Sequence, residues 1–178
     1  LHLSLRRQRQ MCIRDRPTVI DADGLNNLAL LNEWWRRVSA PLVLTPHPGE
    51  MATLTGSSTP EIQLDRINSS KKWARHWNAT VVLKGANTLI AEPSGMVRIS
   101  PFANPGLASG GTGDVLAGII AGLMAQGLST GVAASCGVFI HGQAGEAVGE
   151  KRGDTGSIAS DLIELLPETI RNLRAVCI

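Results

Sequence analysis

A three-layer α/β/α domain with a mostly parallel sheet is the fold class this sequence predicts, on three observations. Short apolar runs of strand length alternate with helix-length segments. Nearly every polar motif begins where an apolar run ends, at the strand edge where open α/β sheets bind ligands. One glycine-rich loop, Asn104-Pro105-Gly106-Leu107-Ala108-Ser109-Gly110-Gly111-Thr112-Gly113-Asp114, runs directly into an apolar helix.

The bulk properties fit that class. The chain has 178 residues, enough for one domain with a sizeable core. Hydrophobic residues make up 43% and charged residues 18%, which excludes a disordered chain. The longest apolar run, near 115–125, is interrupted by Gly118 and Gly122, so no membrane span is expected. Cys12, Cys136 and Cys177 form no spaced pair. With no secretory pattern at the N-terminus, they point to a reducing compartment, the cytoplasm.

The net charge of +2 owes its sign to the first sixteen residues, which hold Arg6, Arg7, Arg9, Arg14 and Arg16 against Asp15 alone. The remainder is slightly acidic, so no nucleic-acid partner is expected. Residues 1–16 have no helical or strand period. The string Met11-Cys12-Ile13-Arg14-Asp15-Arg16 resembles translated sequencing-adapter read-through, so residues 1–16 are read as non-native and the domain as residues 17–178.

The elements follow in order. Pro17-Thr18-Val19-Ile20-Asp21 reads as a buried strand ending in a carboxylate, and Asp23 is expected to cap a short helix over 24–31. Asp21 and Asp23 read equally as turn and cap residues or as ligand groups. Pro41-Leu42-Val43-Leu44-Thr45 is a second strand. Pro46-His47-Pro48-Gly49-Glu50 is expected to be a stiff loop before a helix near 51–54, with His47 either structural or ligand-facing. Thr59-Pro60-Glu61 marks a helix start with Thr59 as cap, running to Trp77, with Ile62, Ile67, Trp73 and Trp77 on its buried side.

Thr80-Val81-Val82-Leu83 is a third strand and leads into Lys84-Gly85-Ala86-Asn87-Thr88, where a lysine could reach a phosphate. A hairpin is expected over 89–91 and 96–99, turning at Pro93-Ser94-Gly95. Helices follow over 113–126 and 130–148. Small residues in the second permit close packing, and His141 reads as a satisfied core or surface histidine. Gly153-Asp154-Thr155-Gly156 breaks the chain before a last helix over 158–173, with an expected break near Pro167.

The glycine loop carries the chemistry. Gly110, Gly111 and Gly113 allow close backbone approach, and the helix start offers free N–H groups and the positive end of its dipole, together an anion site. It is neither a P-loop nor a dinucleotide fingerprint, since it lacks Gly-Lys-Ser/Thr and has Leu116 where a glycine is needed. A carboxylate beside phosphate would only repel it, so Asp114 reads as a general base for a hydroxyl attacking phosphorus. Complementing the helix dipole is its alternative role.

Four motifs, in order, carry a resemblance: Asp21-Ala22-Asp23-Gly24-Leu25-Asn26, Thr45-Pro46-His47-Pro48-Gly49-Glu50, Lys84-Gly85-Ala86-Asn87-Thr88 and the glycine loop. Over residues 17 to about 175 the chain resembles the nucleotide-dependent NAD(P)H-hydrate dehydratases of the ribokinase-like superfamily. Leu107 stands where the family often has methionine. Family members also begin with further βα units, so the N-terminal part of the domain is expected to be missing.

The resemblance implies a cytoplasmic metabolite-repair enzyme, a hydro-lyase that uses ADP (or ATP) to dehydrate NADH hydrate and NADPH hydrate, leaving AMP and phosphate. It implies Mg2+ to offset phosphate charge, and leaves any metal-ligating residues unassigned. It places Lys84, Gly85, Ala86, Asn87, Thr88, Asn104, Gly110, Gly111, Thr112 and Gly113 at the nucleotide. His47 and Asp114 would face the hydrate, with Asp114 catalytic. A homo-oligomer and fusion to an epimerase domain are further expectations. The alternatives are a ribokinase-like vitamin-precursor kinase, such as one for hydroxyethylthiazole, and an inactive nucleotide-binding fragment.

Overall fold

The computed structural model describes residues 16–153 and 155–176. Cys12, Cys177, Asp154 and the expected non-native segment, apart from Arg16, lie outside the described residues. Among those described, five strands form one sheet in the order β1 (Thr18–Ile20), β2 (Leu42–Leu44), β3 (Thr80–Leu83), β4 (Leu89–Ala91) and β5 (Val97–Ile99). β1, β2 and β3 pair parallel, in register through Val19↔Val43 and Leu44↔Val81. β3, β4 and β5 pair antiparallel. The sheet is therefore mixed. Helical crossovers return the chain in the same direction, whereas the short connections around β4 can only reverse it.

Alternation along the strands builds two cores. Leu42, Leu44, Val81, Leu83, Leu89 and Ala91 face one side of the sheet. Val43, Val82 and Ile90 face the other. This is the period-two pattern of strands covered on both faces. The first face is covered by α1 (Asp23–Ala29), α2 (Pro48–Thr55), α3 (Thr59–Leu64) and α4 (Arg66–Trp77). The second is covered by α5 (Thr112–Ala125) and α6 (Thr130–Arg152) through Leu116, Ile120, Met124, Ala133, Ala134 and Val138. A final helix, α7 (Ala159–Val176), packs on α5 and α6 through Leu162, Val115 and Val148. The fold class is three-layer α/β/α, as the sequence predicts.

Local corrections have local causes. Asp23 is the first helical residue of α1, not its cap. Ala22 occupies the cap position at φ 48° with no side-chain bond. Ser58, not Thr59, caps α3, in a reciprocal capping box with Glu61. The single helix expected up to Trp77 is two, because Asp65 leaves helical geometry and accepts from the Asn68 N–H to start α4. That break frees Ile67, which is 47% exposed, whereas Ile62 and Trp77 are buried and Trp73 is partly so. Trp73 stacks on Trp77, which also meets Trp34.

α6 runs on to Arg152, past the expected end at 148, and its last residue pairs with Asp161 and with Glu164 of α7. Pro167 does not break α7. It sits on the exposed side, where the carbonyl it orphans is free to bond water.

The small residues of α6 serve two purposes. A Cβ on Gly137 would meet Ile120 at 2.6 Å, so there glycine lets α6 close on α5. Gly142 and Gly145 instead receive Phe102 and Leu107 from the loop before α5.

Candidate active site

The first polar groups past the three parallel strands meet at one edge of the sheet. Asp21 follows β1, His47 and Glu50 follow β2, and Lys84 follows β3. The Lys84 ammonium donates to Asp21 Oδ1 at 2.7 Å and lies 3.6 Å from Glu50 Oε2. The backbone locks the strand ends: Thr45 N–H donates to Ile20 O and Lys84 N–H to Pro46 O, at 3.2 and 2.8 Å. Arg66, at the start of α4, donates to the carbonyls of Leu83, Lys84 and Ala86, and burial lowers its pKa. The sequence carries no local signal for that role, because the contact spans three different carbonyls some twenty residues away.

His47 does not sit in a loop. It is the N-cap of α2, and its Nδ1 accepts from the Gly49 and Glu50 N–H groups while Glu50 accepts from the His47 N–H at 2.7 Å. Proline at the first helical position stiffens this box. An accepting Nδ1 assigns the proton of a neutral ring to Nε2. The helix thus starts three residues before the sequence-based expectation, and the same residues that cap it hold the imidazole at the sheet edge.

The glycine loop is held from within. Asn104 Oδ1 accepts from Gly106 N–H at 2.8 Å and opens a 3-10 turn, Pro105–Ala108. Buried Thr112 donates its hydroxyl to Leu107 O and Ser109 O, at 2.6 and 2.7 Å, and its N–H to Ser109 O. Of the three loop glycines expected to relax the backbone, only Gly111 takes a left-handed conformation, at φ 85° as N-cap of α5. With the Thr112 N–H engaged, the first-turn donors that remain for an anion are Gly113 and Asp114, which have no intrahelical carbonyl to bond. A Cβ on Gly113 would lie 3.4 Å from Lys84 Nζ, so the lysine sits beside this helix start.

These parts border a cavity of about 520 Å³, a volume suited to a nucleotide-sized ligand. Lys84, Gly85, Ala86 and Thr88 form one wall, and Asn104, Thr112 and Gly113 another, with His47 at the same cavity. Asn87, Gly110, Gly111 and Asp114 are not on its wall. Asn87 spends its amide on Ser100 O and its N–H on Phe102 O, fastening the loop to the segment after β5. Asp114 is exposed on the first turn of α5, next to the wall residue Gly113. Phe102, Leu116, Val138 and His141 also line the cavity and escaped the sequence reading as site residues, since each looks like ordinary core.

His141 is buried and its Nε2 lies 2.9 Å from the Thr112 carbonyl, a bond that ties α6 to the first turn of α5. It is the satisfied histidine the sequence predicts. Burial lowers its pKa below the ordinary 6.5, against a smaller raising effect of the Thr112 bond. The unfolded chain therefore binds a proton that the folded one refuses. As pH falls below about 6.5, the His141 contribution to stability is lost until the lowered folded value is reached. His141→Gln, which keeps a donor but cannot titrate, should flatten the fall in melting temperature between pH 7 and 5. Parallel wild-type and variant curves would remove His141 as the cause.

Among the described residues no three His, Cys, Asp or Glu side chains form a group that could hold a metal, and no helix is long and apolar enough to cross a membrane.

With this geometry established, comparison with known proteins places the chain. The family described as NAD(P)H-hydrate dehydratase matches residues 8–168, reaching into the arginine-rich segment. The chain belongs to the NAD(P)H-hydrate dehydratase family. It is 52% identical over 157 residues to the bifunctional NAD(P)H-hydrate repair enzyme of Moorella thermoacetica, covering 88% of this chain and 30% of that protein. To the ADP-dependent (S)-NAD(P)H-hydrate dehydratase of Neisseria meningitidis it is 39% identical, covering 89% of this chain and 54% of that one. The solved ADP/ATP-dependent NAD(P)H-hydrate dehydratase from Bacillus subtilis, co-crystallised with ATP and Mg2+, superposes with a TM-score of 0.79 at 33% identity, covering 88% of this chain and 55% of that one. The fold is ribokinase-like, shared with an Enterococcus faecalis protein of that superfamily at a TM-score of 0.75 and 28% identity, over 86% of this chain and 52% of that one. The chain thus spans about a third to just over half the length of these relatives.

Proposed function

We propose that this chain carries the nucleotide site and the general base of an ADP-driven NAD(P)H-hydrate dehydratase, a lyase of metabolite repair. The observation that carries the reading is the single cavity bordered by Lys84, the loop behind it and the start of α5, with His47 at the same cavity. In this mechanism the helix-start N–H groups and Lys84 hold the terminal phosphate of ADP. Asp114 takes the proton from the ring hydroxyl of the hydrate, and the freed oxygen attacks the terminal phosphorus, releasing AMP. Phosphate then leaves with the C–O electron pair, the neighbouring ring carbon gives up a proton to water, and the electron pair of that C–H bond restores the nicotinamide double bond. His47, whose Nε2 lies 3.6 Å from Glu50 Oε1 while its side chain stays half-exposed, contacts the hydrate from the same cavity.

Mg2+ fits this site as an ion carried mainly by the nucleotide. It commonly keeps waters and phosphate oxygens as ligands and needs only one or two carboxylates. Its contribution when bound is to offset phosphate charge. The carboxylates beside the proposed phosphate site are Asp21 and Glu50, both within 3.6 Å of Lys84, and exposed Asp114 on the first turn of α5.

We further propose that residues 17–178 are the C-terminal part of one such domain. A cytoplasmic homo-oligomer acting on NADH hydrate and NADPH hydrate, joined to an epimerase domain, completes the reading. The bifunctional character of the Moorella relative and its length support the fusion. Incubating the full-length protein with NADH hydrate and ADP should restore the absorbance of NADH and yield AMP and phosphate in equal amounts. Release of ADP from ATP with a stable phospho-alcohol would instead identify a kinase. Calorimetric titration of this chain with ADP should show binding. A folded sample that binds no ADP at millimolar concentration would overturn the nucleotide assignment.

A further inference from the structure

The cavity has two kinds of wall. At one end are Lys84 and the helix start at Gly113, suited to an anion. Elsewhere Leu107, Leu116, Val138 and Phe102 make it apolar, and Phe102 is the one phenylalanine, tyrosine or tryptophan among its lining residues, the imidazoles of His47 and His141 being held by the α2 cap and the Thr112 carbonyl. A nucleoside diphosphate has the same two parts, a charged tail and a flat, weakly polar base.

Phe102 is held more firmly than an ordinary loop phenylalanine. Its ring rests on Gly142 of α6, where any Cβ would stand 2.1 Å from a ring carbon, so a larger residue there would displace it. Its centroid lies 5.3 Å from that of Phe139, at an interplanar angle of 60°. Its backbone is pinned on both sides: Asn87 N–H donates to Phe102 O at 2.9 Å, and Phe102 N–H donates to Ser100 Oγ at 3.3 Å. The Asn87 bond belongs to the loop that carries Lys84 into the cavity wall, so ring and phosphate end are held in one frame. The ring nevertheless remains half-buried and faces open volume. A ring needed only for packing would be covered on all sides, whereas a fixed ring beside an open cavity is a preorganised stacking surface.

We propose that Phe102 is the platform on which the base of the nucleotide stacks, making it a specificity-determining residue that favours a purine nucleotide over a base-free polyphosphate. The proposal rests on the nucleotide assignment made above and adds where the base lies. Stacking on an aromatic ring is commonly lost on substitution by alanine with a roughly tenfold or greater drop in affinity. The base-free end of the ligand, bound at Lys84 and Gly113, should not feel the change.

The test titrates this chain and its Phe102→Ala, Phe102→Leu and Phe102→Trp variants with ADP and with pyrophosphate. Thermal melting confirms that each is folded, and Phe102→Leu keeps apolar bulk against Gly142 if alanine loosens the loop. ADP affinity should fall about tenfold or more in the alanine and leucine variants and persist with tryptophan, while pyrophosphate affinity stays at the wild-type value. Leucine and alanine variants that bind ADP as wild type does would overturn the platform while leaving the nucleotide site intact. Parallel loss of ADP and pyrophosphate would also overturn it, marking Phe102 as a support of the phosphate end. A wild-type chain that binds no ADP would overturn the site itself, and the platform with it.

Discussion

Asp114→Asn in the full-length protein is expected to lower turnover by about 10²–10⁴-fold while nucleotide affinity holds or rises slightly. That loss is the usual contribution of a positioned general base. Asp114 is exposed on the first turn of α5, next to Gly113, a residue of the cavity wall whose N–H has no intrahelical carbonyl to bond. Asparagine keeps the shape and a hydrogen-bonding group but cannot take a proton. It also removes a negative charge beside the phosphates, so ADP should bind no worse. If Asp114 only complemented the helix dipole, the substitution would cost about 0.3–1 kcal/mol of stability and leave turnover nearly intact. Recovery of NADH absorbance, AMP binding and thermal melting, measured on the same preparation, separate the two. Near-normal turnover in a folded variant would remove the base assignment and the mechanism with it.

Lys84→Met is expected to act on stability more than any other substitution at this edge of the sheet. The ammonium stands 2.7 Å from Asp21 and 3.6 Å from Glu50, with side-chain exposures of 20%, 11% and 9% for Lys84, Asp21 and Glu50. Removing one partner of a mostly buried ion pair leaves charge without compensation, at a cost of about 3–5 kcal/mol. Here two carboxylates would be left. Methionine fills nearly the same volume, so the loss is electrostatic rather than a packing defect. Adding Asp21→Asn should recover part of the stability, because it removes one of the stranded charges. Denaturant unfolding of the single and double variants tests this. A loss below about 1 kcal/mol would place the group in water, where such pairs contribute little.

That lysine illustrates the limit of a sequence-based reading. Its position after β3 and before a glycine already suggests a phosphate-reaching cation. Its two carboxylate partners come from the end of β1 and the first turn of α2, 63 and 34 residues away, and only folding brings them together. His47 is a parallel case. The prolines around it announce a stiff segment, but the reciprocal cap with Glu50 becomes visible only when the backbone places Nδ1 against two N–H groups. The expected break at Pro167 fails for a related reason, since the cost of proline in a helix depends on whether the orphaned carbonyl meets water.

Local chemistry was enough to determine the strands, both faces of the sheet and the glycine-led start of α5. Alternation of period two, apolar runs and glycine followed by a helix are written within a few consecutive residues, and short-range sterics and burial enforce them. The tertiary structure decided what faces the cavity. Asn87 turns to fasten one loop to another, His141 bonds the first turn of α5 from a neighbouring helix, and Phe102 lies on a glycine forty residues later. Each contact joins segments distant in the chain, and its partner is set by how the layers pack, not by the residues on either side of it.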